Sequence, residues 1–333
     1  MRRRTLLSAS LGLGSLAGLA YVGTSASALS GLVSYSGFDQ AFGTTVTIKV
    51  LHGNATQAQA AITAALAQVK SVDSLMSLHQ ERSQVFQLNL HGRLDAPDPH
   101  LLKVLAYAQQ LSAQTAGAFD ITVQPLWQAF SQAHERGELP TPDAVASAKA
   151  LVHWQSLAVG DQQVRLARPG MGITLNGLAQ GYAVDLALAT LRAQGISHAL
   201  VDTGEFGALG DKATGQPWVL GIKNPRKTEA LAGRAALDGR QLATSGDYET
   251  FFSPDYVHHH IFDPATGDSP TTLASVTVLA PTGLMADGLS TAFMVMGANK
   301  ALALAAQLPQ VDAMLIYKNG ATQKTANFPA LSA

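Results

Sequence analysis

Four strand-like segments follow one another in the second half of the chain, and no helical pattern separates them. They span residues 198–204, 217–223, 240–246 and 274–280. Helical patterns precede and follow this run, one ending at Gly195 and one continuing from about Thr282 to Gln307. Interleaved helices with many adjacent strands are typical of helices layered on mixed or antiparallel sheets, and not of a doubly wound parallel sheet. We therefore expect an α+β fold in one compact unit.

The first half of the chain contains both periodicities. Alternating β-branched residues over 44–50 predict a half-buried strand. Apolar residues at helical spacing over 55–76 predict a long amphipathic helix capped by Asn54, and a second helix is expected over 100–114. Residues 77–99 have little periodicity, so we expect a loop there.

The composition excludes several classes of function. Of the 333 residues, 47% are hydrophobic and only 14% are charged, so the chain can bury a large core. The formal net charge of -1 argues against nucleic acid or another polyanion as a partner. The chain has no cysteine, which excludes disulfides, a thiolate nucleophile and cysteine-ligated metal centres. Any metal must therefore be bound by oxygen or imidazole.

The N-terminal residues have the pattern of an export signal. A basic start at Arg2–Arg4 is followed by an apolar run to Gly23 and by Ala-Ser-Ala at 26–28, which suits a cleavage site. Two arginines followed by a spacer and two leucines match the twin-arginine form. We predict a signal peptide over 1–28 and a mature domain over 29–333 that is soluble in the bacterial periplasm. An ordinary secretory signal or an uncleaved anchor is the alternative.

Oxygen donors are spaced for one helix face near the start of the last long helix. Asp287 and Thr291 lie four residues apart, with Ser290 beside them. Two hard oxygen donors suit Mg²⁺, which takes few protein ligands and keeps several waters. The alternative is that Asp287 only interacts with the helix dipole.

Two glycines mark a turn at which a strand over 172–176 is expected to lead into a helix. Free N–H groups at a helix start, beside Gly177 and Gly181, suit a phosphate or pyrophosphate. The alternative is that the glycines serve close packing, with Tyr182 in the core and Asp185 on a solvated face.

The Asp-Thr-Gly sequence at 202–204 resembles the turn of aspartic proteases. Such enzymes need two carboxylates that share a proton, and the chain contains no second turn of this kind. A protease would therefore have to be a homodimer, and we do not favour it.

Three consecutive histidines, 258–260, allow several interpretations. The first is that they bind a transition metal, and the second is that they form a plain polar strand. The third is that they are mostly surface residues with one functional member. In a strand His258 and His260 would share a face while His259 points away. We favour one histidine that moves a proton, since imidazole titrates near neutral pH.

Eight motifs in order resemble the ApbE family, the FAD:protein FMN transferases. They are FGTTVTI, LMSLHQERSQVFQLN, GAFDITVQPLW, ITLNGLAQGYAVD, ALVDTGEFGALG, ATSGDYETFF, HHIFDPATG and VTVLAPTGLMADGLSTAFMVMG. The resemblance spans about Phe42 to Gly297. It implies an enzyme that binds FAD with Mg²⁺, cleaves the pyrophosphate and attaches FMN to a threonine or serine of a target protein, releasing AMP.

The resemblance also leaves alternatives and partners to consider. Some members hydrolyse FAD to FMN and AMP, so an FAD pyrophosphatase is the second hypothesis. A non-catalytic periplasmic FAD-binding protein is the third. For a transferase, the implied acceptor is a membrane-associated electron-transfer protein, such as an Rnf- or Nqr-type complex or a nitrous-oxide-respiration regulator.

Site residues follow from the resemblance position by position. It implies that His260 is the base that activates the target hydroxyl, and that Asp287, Thr291 and the carbonyl of Gly177 bind the metal, with Ser290 as a neighbour. The residues implied on the FAD side are Phe42, His79, Phe119, Asp120, Ile121, Thr174, Gln180 and Ile261. The chain departs from the family pattern at Gln180, Phe42 and Thr174, which replace Lys or Glu, Met and Asp, and in GEFGA, which replaces Gly-Gly-Asp.

Overall fold

The structure, a computed structural model, describes residues 31–331, so the predicted signal peptide over 1–28 lies outside the described residues. The helices are α1 (Ala55–Met76), α2 (Gln84–His91), α3 (Pro99–Gln114), α4 (Gln124–His134), α5 (Pro142–Lys149), α6 (Ala179–Ala193), α7 (Gly283–Met296) and α8 (Ala298–Ala305). The strands are β1 (Val33–Ala41), β2 (Thr44–His52), β3 (Arg93–Asp95), β4 (Leu157–Val159), β5 (Gln163–Leu166), β6 (Ala199–Asp202), β7 (Phe206–Leu209), β8 (Val219–Asn224), β9 (Lys227–Ala236), β10 (Gln241–Gly246), β11 (Leu273–Ala280), β12 (Asp312–Tyr317), β13 (Thr322–Lys324) and β14 (Ala330–Leu331).

Eight strands form one large sheet in the order β1-β2-β6-β7-β10-β11-β12-β13. Each neighbouring pair in this sheet is antiparallel. Two smaller antiparallel sheets have the orders β14-β9-β8 and β3-β5-β4. The predicted α+β fold with antiparallel sheets and layered helices is confirmed.

The large sheet is covered on both faces. α1, α6 and α7 pack side by side on one face, in the main apolar core. β8 and β9 cover the other face through a second apolar cluster, and successive residues Leu242 and Ala243 of β10 belong to the second and the main cluster respectively. β11 lies between the two layers, and all eight of its residues are buried. This burial makes the centre of the sheet a rigid support for α7 and β10.

The strongest periodic segments are confirmed. β2 contains the predicted strand, and α1 has the predicted bounds, with the side chain of Asn54 accepting the N–H of Gln57 over 3.0 Å. The predicted loop over 77–99 is wrong, because it contains α2 and β3. α2 is only eight residues long, too short for its period to be evident, and is defined by its caps. Ser83 accepts two N–H groups at its start, and Gly92, with φ 69°, ends it.

Two further expectations differ from the structure. The predicted single helix after Thr282 is divided at Gly297, whose φ of 72° interrupts it between α7 and α8. The strand expected over 172–176 does not form, because the N–H of Ile173 is bonded to the side chain of Asn89 and that of Thr174 to the carbonyl of Ile121. Among the helices of residues 31–331, none combines the length and apolar character that a membrane crossing requires.

Candidate active site

Two glycines let α6 and α7 approach each other closely. A Cβ atom at Gly181 would lie 2.6 Å from the Cβ of Asp287 and against the carbonyl oxygen of Gly283. The N–H of Gly181 donates to Oδ2 of Asp287 over 3.0 Å. Close packing is therefore the role of Gly181, and its N–H is engaged by the protein instead of being free for a phosphate.

The N-terminus of α7 is held by Asp185 of α6. Its two carboxylate oxygens accept the N–H groups of Gly283 and Leu284, over 2.7 and 3.0 Å. Burial raises the pKa of Asp185, although these two hydrogen bonds oppose the shift. The alternative of a solvated Asp185 is wrong, because its partners belong to a helix remote in sequence. Tyr182, by contrast, is in the core as expected.

A chain of hydroxyl groups orients Thr291. The hydroxyl of Ser290 donates to the backbone carbonyl of Asp287 over 2.8 Å, so its oxygen is left to accept. The Oγ of Ser245 in β10 lies 2.7 Å from this oxygen and 3.1 Å from the Oγ1 of Thr291. If each hydroxyl donates once, Ser245 donates to Ser290 and Thr291 donates to Ser245. The lone pairs of the Thr291 oxygen then remain available to a cation.

The predicted metal-binding residues meet at this point. A Cβ atom at Gly177 would lie 2.7 Å from the Oγ1 of Thr291, so the backbone of Gly177 approaches the hydroxyl directly. Asp287 lies one helical turn before Thr291 and keeps Oδ1 free, because Oδ2 accepts the N–H of Gly181. Residues 31–331 contain no group of three or more His, Asp or Glu side chains arranged for a metal ion. The donor set instead fits Mg²⁺, which needs only one or two carboxylates when substrate phosphates complete its coordination.

The carboxylate charge at this site is poorly compensated. Burial raises the pKa of Asp287 to about 7, and the nearby charge of Asp185 adds to the shift. Glu205 is also buried, and its pKa is raised well above the usual range by burial, then by the charges of Asp287 and Asp202. Its Oε2 accepts the N–H of Thr244 over 3.0 Å. A bound divalent cation would relieve the repulsion between these carboxylates.

Glu205 was not among the residues implied for the site. The only signal in the sequence is the departure GEFGA from the family pattern, which places a glutamate where glycine is frequent. Asp185 and Ser245 were missed for another reason, because each acts through a hydrogen bond to α7 that no local pattern reveals.

His260 has the arrangement of a general base. Its Nδ1–H donates to the carbonyl of Thr250 over 3.0 Å, and its backbone N–H donates to the same oxygen over 3.0 Å. This bond leaves the lone pair on Nε2, because a neutral imidazole carries one proton. Burial lowers the pKa of His260, which keeps the ring neutral near pH 7. The ring can therefore accept a proton there.

β10 connects His260 to the oxygen donors of α7. Ser245 of β10 contacts Ser290 and Thr291, and the chain then runs five residues to Thr250, which binds His260. Five residues span at most about 18 Å even when fully extended. Both parts of the predicted site therefore lie at the same end of β10.

The other two histidines have different surroundings. Nδ1 of His258 lies 2.8 Å from Oδ1 of Asp268. His259 is fully buried, with Nε2 3.2 Å from the carbonyl oxygen of Pro270. Only an isolated bridge between Phe251 and His259 gives this segment β character, so the alternative of a regular polar strand is wrong.

Four of the residues implied on the FAD side, Phe119, Ile121, Thr174 and Ile261, lie in three segments of the chain. Phe119, Ile121 and Ile261 are each less than 7% exposed. The N–H of Thr174 donates to the carbonyl of Ile121 over 2.8 Å, which joins the segment before α4 to the segment before α6. Ile261 follows His260 directly, so it belongs to the segment of the proposed base.

Asp120 supports this region through its own contacts. Its Oδ1 accepts the N–H and the hydroxyl of Thr122, over 2.7 and 2.6 Å. Its Oδ2 accepts the N–H of Trp154 over 3.0 Å. Both oxygens are thus engaged by the protein, and the carboxylate positions Phe119 and Ile121 on either side of it.

The remaining three residues lie in separate turns or helices. Gln180 donates through Nε2 to the carbonyl of Thr203 over 2.5 Å, which ties α6 to the Asp-Thr-Gly turn. Phe42 forms the β1–β2 hairpin turn with Gly43, at φ values of 55° and 73°. A bulky residue at positive φ costs about 1–3 kcal/mol, as is often found at functional sites. His79 is exposed after α1.

Substitution of Gly181 by alanine should destabilise the protein and displace Asp287. The added methyl group would overlap the Gly283 carbonyl and lie 2.6 Å from the Asp287 Cβ, so we expect a loss of about 1–3 kcal/mol in the free energy of unfolding. Urea unfolding measures this loss. Gly53→Ala is the matched control, since its Cβ would find its nearest atom at 3.6 Å. Equal stability of the two variants would contradict the packing argument.

Stability should fall as the pH decreases below 6.5, because His259 is buried in its neutral form. Burial lowers the pKa of His259 from 6.5 to about 3, so the unfolded chain gains a proton in this range and the folded chain does not. From pH 6.5 to pH 5 this contributes a loss of about 2 kcal/mol. Urea unfolding at both pH values should show a loss about 2 kcal/mol smaller for His259→Gln. The same pH dependence in both proteins would refute the assignment.

A family model and several relatives match the chain. The model of the ApbE family matches residues 42–315. A protein from Salmonella typhimurium named FAD:protein FMN transferase is 35% identical over 249 residues, which cover 70% of this chain and 70% of that protein. A protein of the same name from Treponema pallidum is 30% identical over 315 residues, covering 88% of this chain and 87% of that protein.

Solved structures match as well. The ApbE protein of Thermotoga maritima has a TM-score of 0.78 at 30% identity, covering 88% of this chain and 97% of that one. The apo form of the flavinyl transferase ApbE from Pseudomonas stutzeri has a TM-score of 0.74 at 31% identity, covering 89% of this chain and 95% of that one. These proteins therefore match this chain in both sequence and fold over most of its length.

Proposed function

The chain belongs to the ApbE family, and on that premise we propose that it is an FAD:protein FMN transferase. In the proposed reaction, Mg²⁺-dependent cleavage of FAD attaches FMN to a threonine or serine hydroxyl of an acceptor protein and releases AMP. The observation that carries the proposal is the meeting of Asp287, Thr291 and Gly177 at the end of β10 from which the loop to His260 departs.

Three groups would hold the metal. They are the free Oδ1 of Asp287, the Oγ1 of Thr291 and the backbone carbonyl of Gly177, with Ser290 fixing Thr291 through Ser245. When bound, Mg²⁺ supplies charge neutralisation to the pyrophosphate oxygens of FAD. The buried, mutually repelling carboxylates of this site support a cation there.

His260 would activate the acceptor. Its Nε2 takes the proton of the threonine or serine hydroxyl while the hydroxyl oxygen forms a bond to the phosphorus on the FMN side. The bond between this phosphorus and the bridging oxygen breaks, and AMP leaves. The carbonyl of Thr250 holds the ring in the tautomer that this step needs. The lowered pKa of His260 keeps its Nε2 unprotonated at neutral pH.

Mass spectrometry of an acceptor protein tests the proposal. An electron-transfer protein incubated with FAD, Mg²⁺ and this enzyme should gain the mass of FMN on one threonine or serine, with an equal amount of AMP. Release of FMN and AMP without an acceptor, and no adduct with one, would select the FAD pyrophosphatase. Tight FAD binding without AMP under any metal would select a binding protein.

The place of the reaction is proposed from the N-terminal pattern. Arginines, an apolar run and Ala-Ser-Ala within residues 1–28 support export to the periplasm by the twin-arginine route. The acceptor would then be a membrane-associated electron-transfer protein, such as an Rnf- or Nqr-type complex or a nitrous-oxide-respiration regulator. Replacement of both Arg3 and Arg4 by lysine should leave the protein in the cytoplasm, which cell fractionation measures.

A further inference from the structure

A cavity of about 430 Å³ opens beside the segment that carries His260. One wall is apolar and comes from α4, α5 and the loop between them. Its members include Phe130, Leu139, Pro142 and Val145. Leu139 is 43% exposed, so its side chain is accessible to a ligand at the mouth of the cavity. None of the residues assigned to the metal or to FAD lines this cavity.

The cavity also has polar lining residues. Lys149, His258 and Asp268 line it. Nδ1 of His258 lies 2.8 Å from Oδ1 of Asp268, so the carboxylate of Asp268 already has a partner within the protein. The turn before it packs on α5, since a Cβ at Gly267 would lie 3.2 Å from Cδ of Lys149. Within residues 31–331 no hydrogen bond or ion pair engages the ammonium of Lys149, so it is available to pair with an anionic group.

The cavity is adjacent to the proposed base. His258 lines the cavity and precedes His260 by two residues. Two residues span at most about 7 Å even when fully extended. A peptide whose hydroxyl reaches His260 can thus place a neighbouring side chain in the cavity. A ring contact of His258 with Phe130, at 6.0 Å between centroids, fixes the wall that this side chain would meet.

We infer that this cavity binds the acceptor protein, taking an apolar side chain close in sequence to the modified threonine or serine and pairing an acidic side chain with Lys149. The inference rests on the proposed transferase function. Apolar lining residues with an exposed leucine suit an aliphatic or aromatic side chain, and Lys149 beside them supplies charge complementarity to an acidic one. The volume suits one or two side chains of a peptide segment.

Peptide specificity tests the inference. The probes are fluorescein-labelled peptides with one threonine, a leucine and an aspartate within three residues of it, and two variants in which leucine is replaced by serine or aspartate by lysine. With wild-type protein, FAD and Mg²⁺, we expect each replacement to raise KM for FMN transfer about tenfold. Fluorescence anisotropy without Mg²⁺ measures peptide binding independently of the reaction.

Two residues that line the cavity, Leu139 and Lys149, serve as the complementary variants. Leu139→Ser should remove the preference for the leucine peptide, and Lys149→Glu should reverse the charge preference so that the lysine peptide binds better. Leu90→Ser is the matched control, because Leu90 is 62% exposed and does not line the cavity. FAD affinity, measured by flavin fluorescence, should be unchanged in all three, as should the thermal unfolding midpoint.

The outcomes separate the inference from the proposed function. Transfer by wild type with no peptide preference, or a preference that Leu139→Ser and Lys149→Glu leave unchanged, overturns the cavity assignment and leaves the transferase intact. Failure of all peptides to bind wild type also overturns it. Absence of both FMN adduct and AMP with a folded acceptor protein refutes the transferase itself.

Discussion

Replacement of Asp287 by asparagine is expected to lower the rate of FMN transfer about 10³-fold while the protein stays folded. The amide keeps an oxygen that accepts the N–H of Gly181, so the contact between α6 and α7 is preserved. It removes the negative charge that would hold Mg²⁺. The rate is measured by AMP release with acceptor present. Addition of Mg²⁺ and FAD should raise the thermal midpoint of the wild type and not that of the variant.

A matched substitution distinguishes the loss of a carboxylate at the site from the loss of a carboxylate elsewhere on the protein. Asp39→Asn removes an exposed carboxylate, whose partner Lys70 lies 3.2 Å away on the surface, and should leave the rate unchanged. The unliganded Asp287→Asn protein should be at least as stable as wild type above pH 7. Burial raises the pKa of Asp287 to about 7, so above this pH the folded wild type holds an unfavourable buried charge. Full activity of the variant would refute the metal assignment.

Replacement of Asp247 by alanine is expected to cost about 3 kcal/mol in the free energy of unfolding. Asp247 is fully buried and accepts two hydrogen bonds from Arg226, over 2.8 and 2.7 Å. The ammonium of Lys318 lies 3.5 Å from the same carboxylate. Removal of the carboxylate leaves the charges of Arg226 and Lys318 without their negatively charged partner. The side chains of Arg226 and Lys318 are 28% and 19% exposed, so solvent screens part of this cost.

An exposed pair of the same type is the control for Asp247. Arg93 and Asp95 form an ion pair at 3.0 Å, with side chains 61% and 59% exposed. Asp95→Ala should therefore cost less than about 1 kcal/mol. Urea unfolding compares the two variants. Because Asp247 precedes Thr250 by three residues, its loss should also weaken the support of His260, which a lower transfer rate at unchanged FAD affinity would reveal.

Local patterns were sufficient for some elements and insufficient for others. α1 has 22 residues with a regular apolar spacing, and its bounds follow from the sequence. β1 was missed because most of its residues are exposed or only half buried, so its sequence contains few apolar residues in alternation. α2 was missed because it is short. An element could thus be predicted when it was long and its buried apolar residues recurred at a regular spacing.

The site shows the same limit at the level of single residues. The spacing of Asp287 and Thr291 on one helix face is a local property and was predicted. The orientation of the Thr291 hydroxyl is not local, because it depends on Ser245 in β10. Asp185 likewise binds the N-terminus of α7 from α6. The charge of Glu205 interacts with that of Asp287 from outside α7. Such contacts exist only after the sheet and helices have assembled.

The strand order of the large sheet has a consequence for how the protein is made. β2 pairs with β6, with Thr47 opposite Asp202, and β10 joins the sheet beside β7 and β11. Pairings between distant parts of a chain slow folding, because the entropy of closing a long loop is lost before any stabilising contact forms. The site that α7 and β10 form together is therefore completed late in folding, after synthesis has passed α7. An export route that carries finished proteins would suit such a chain better than one that threads it unfolded.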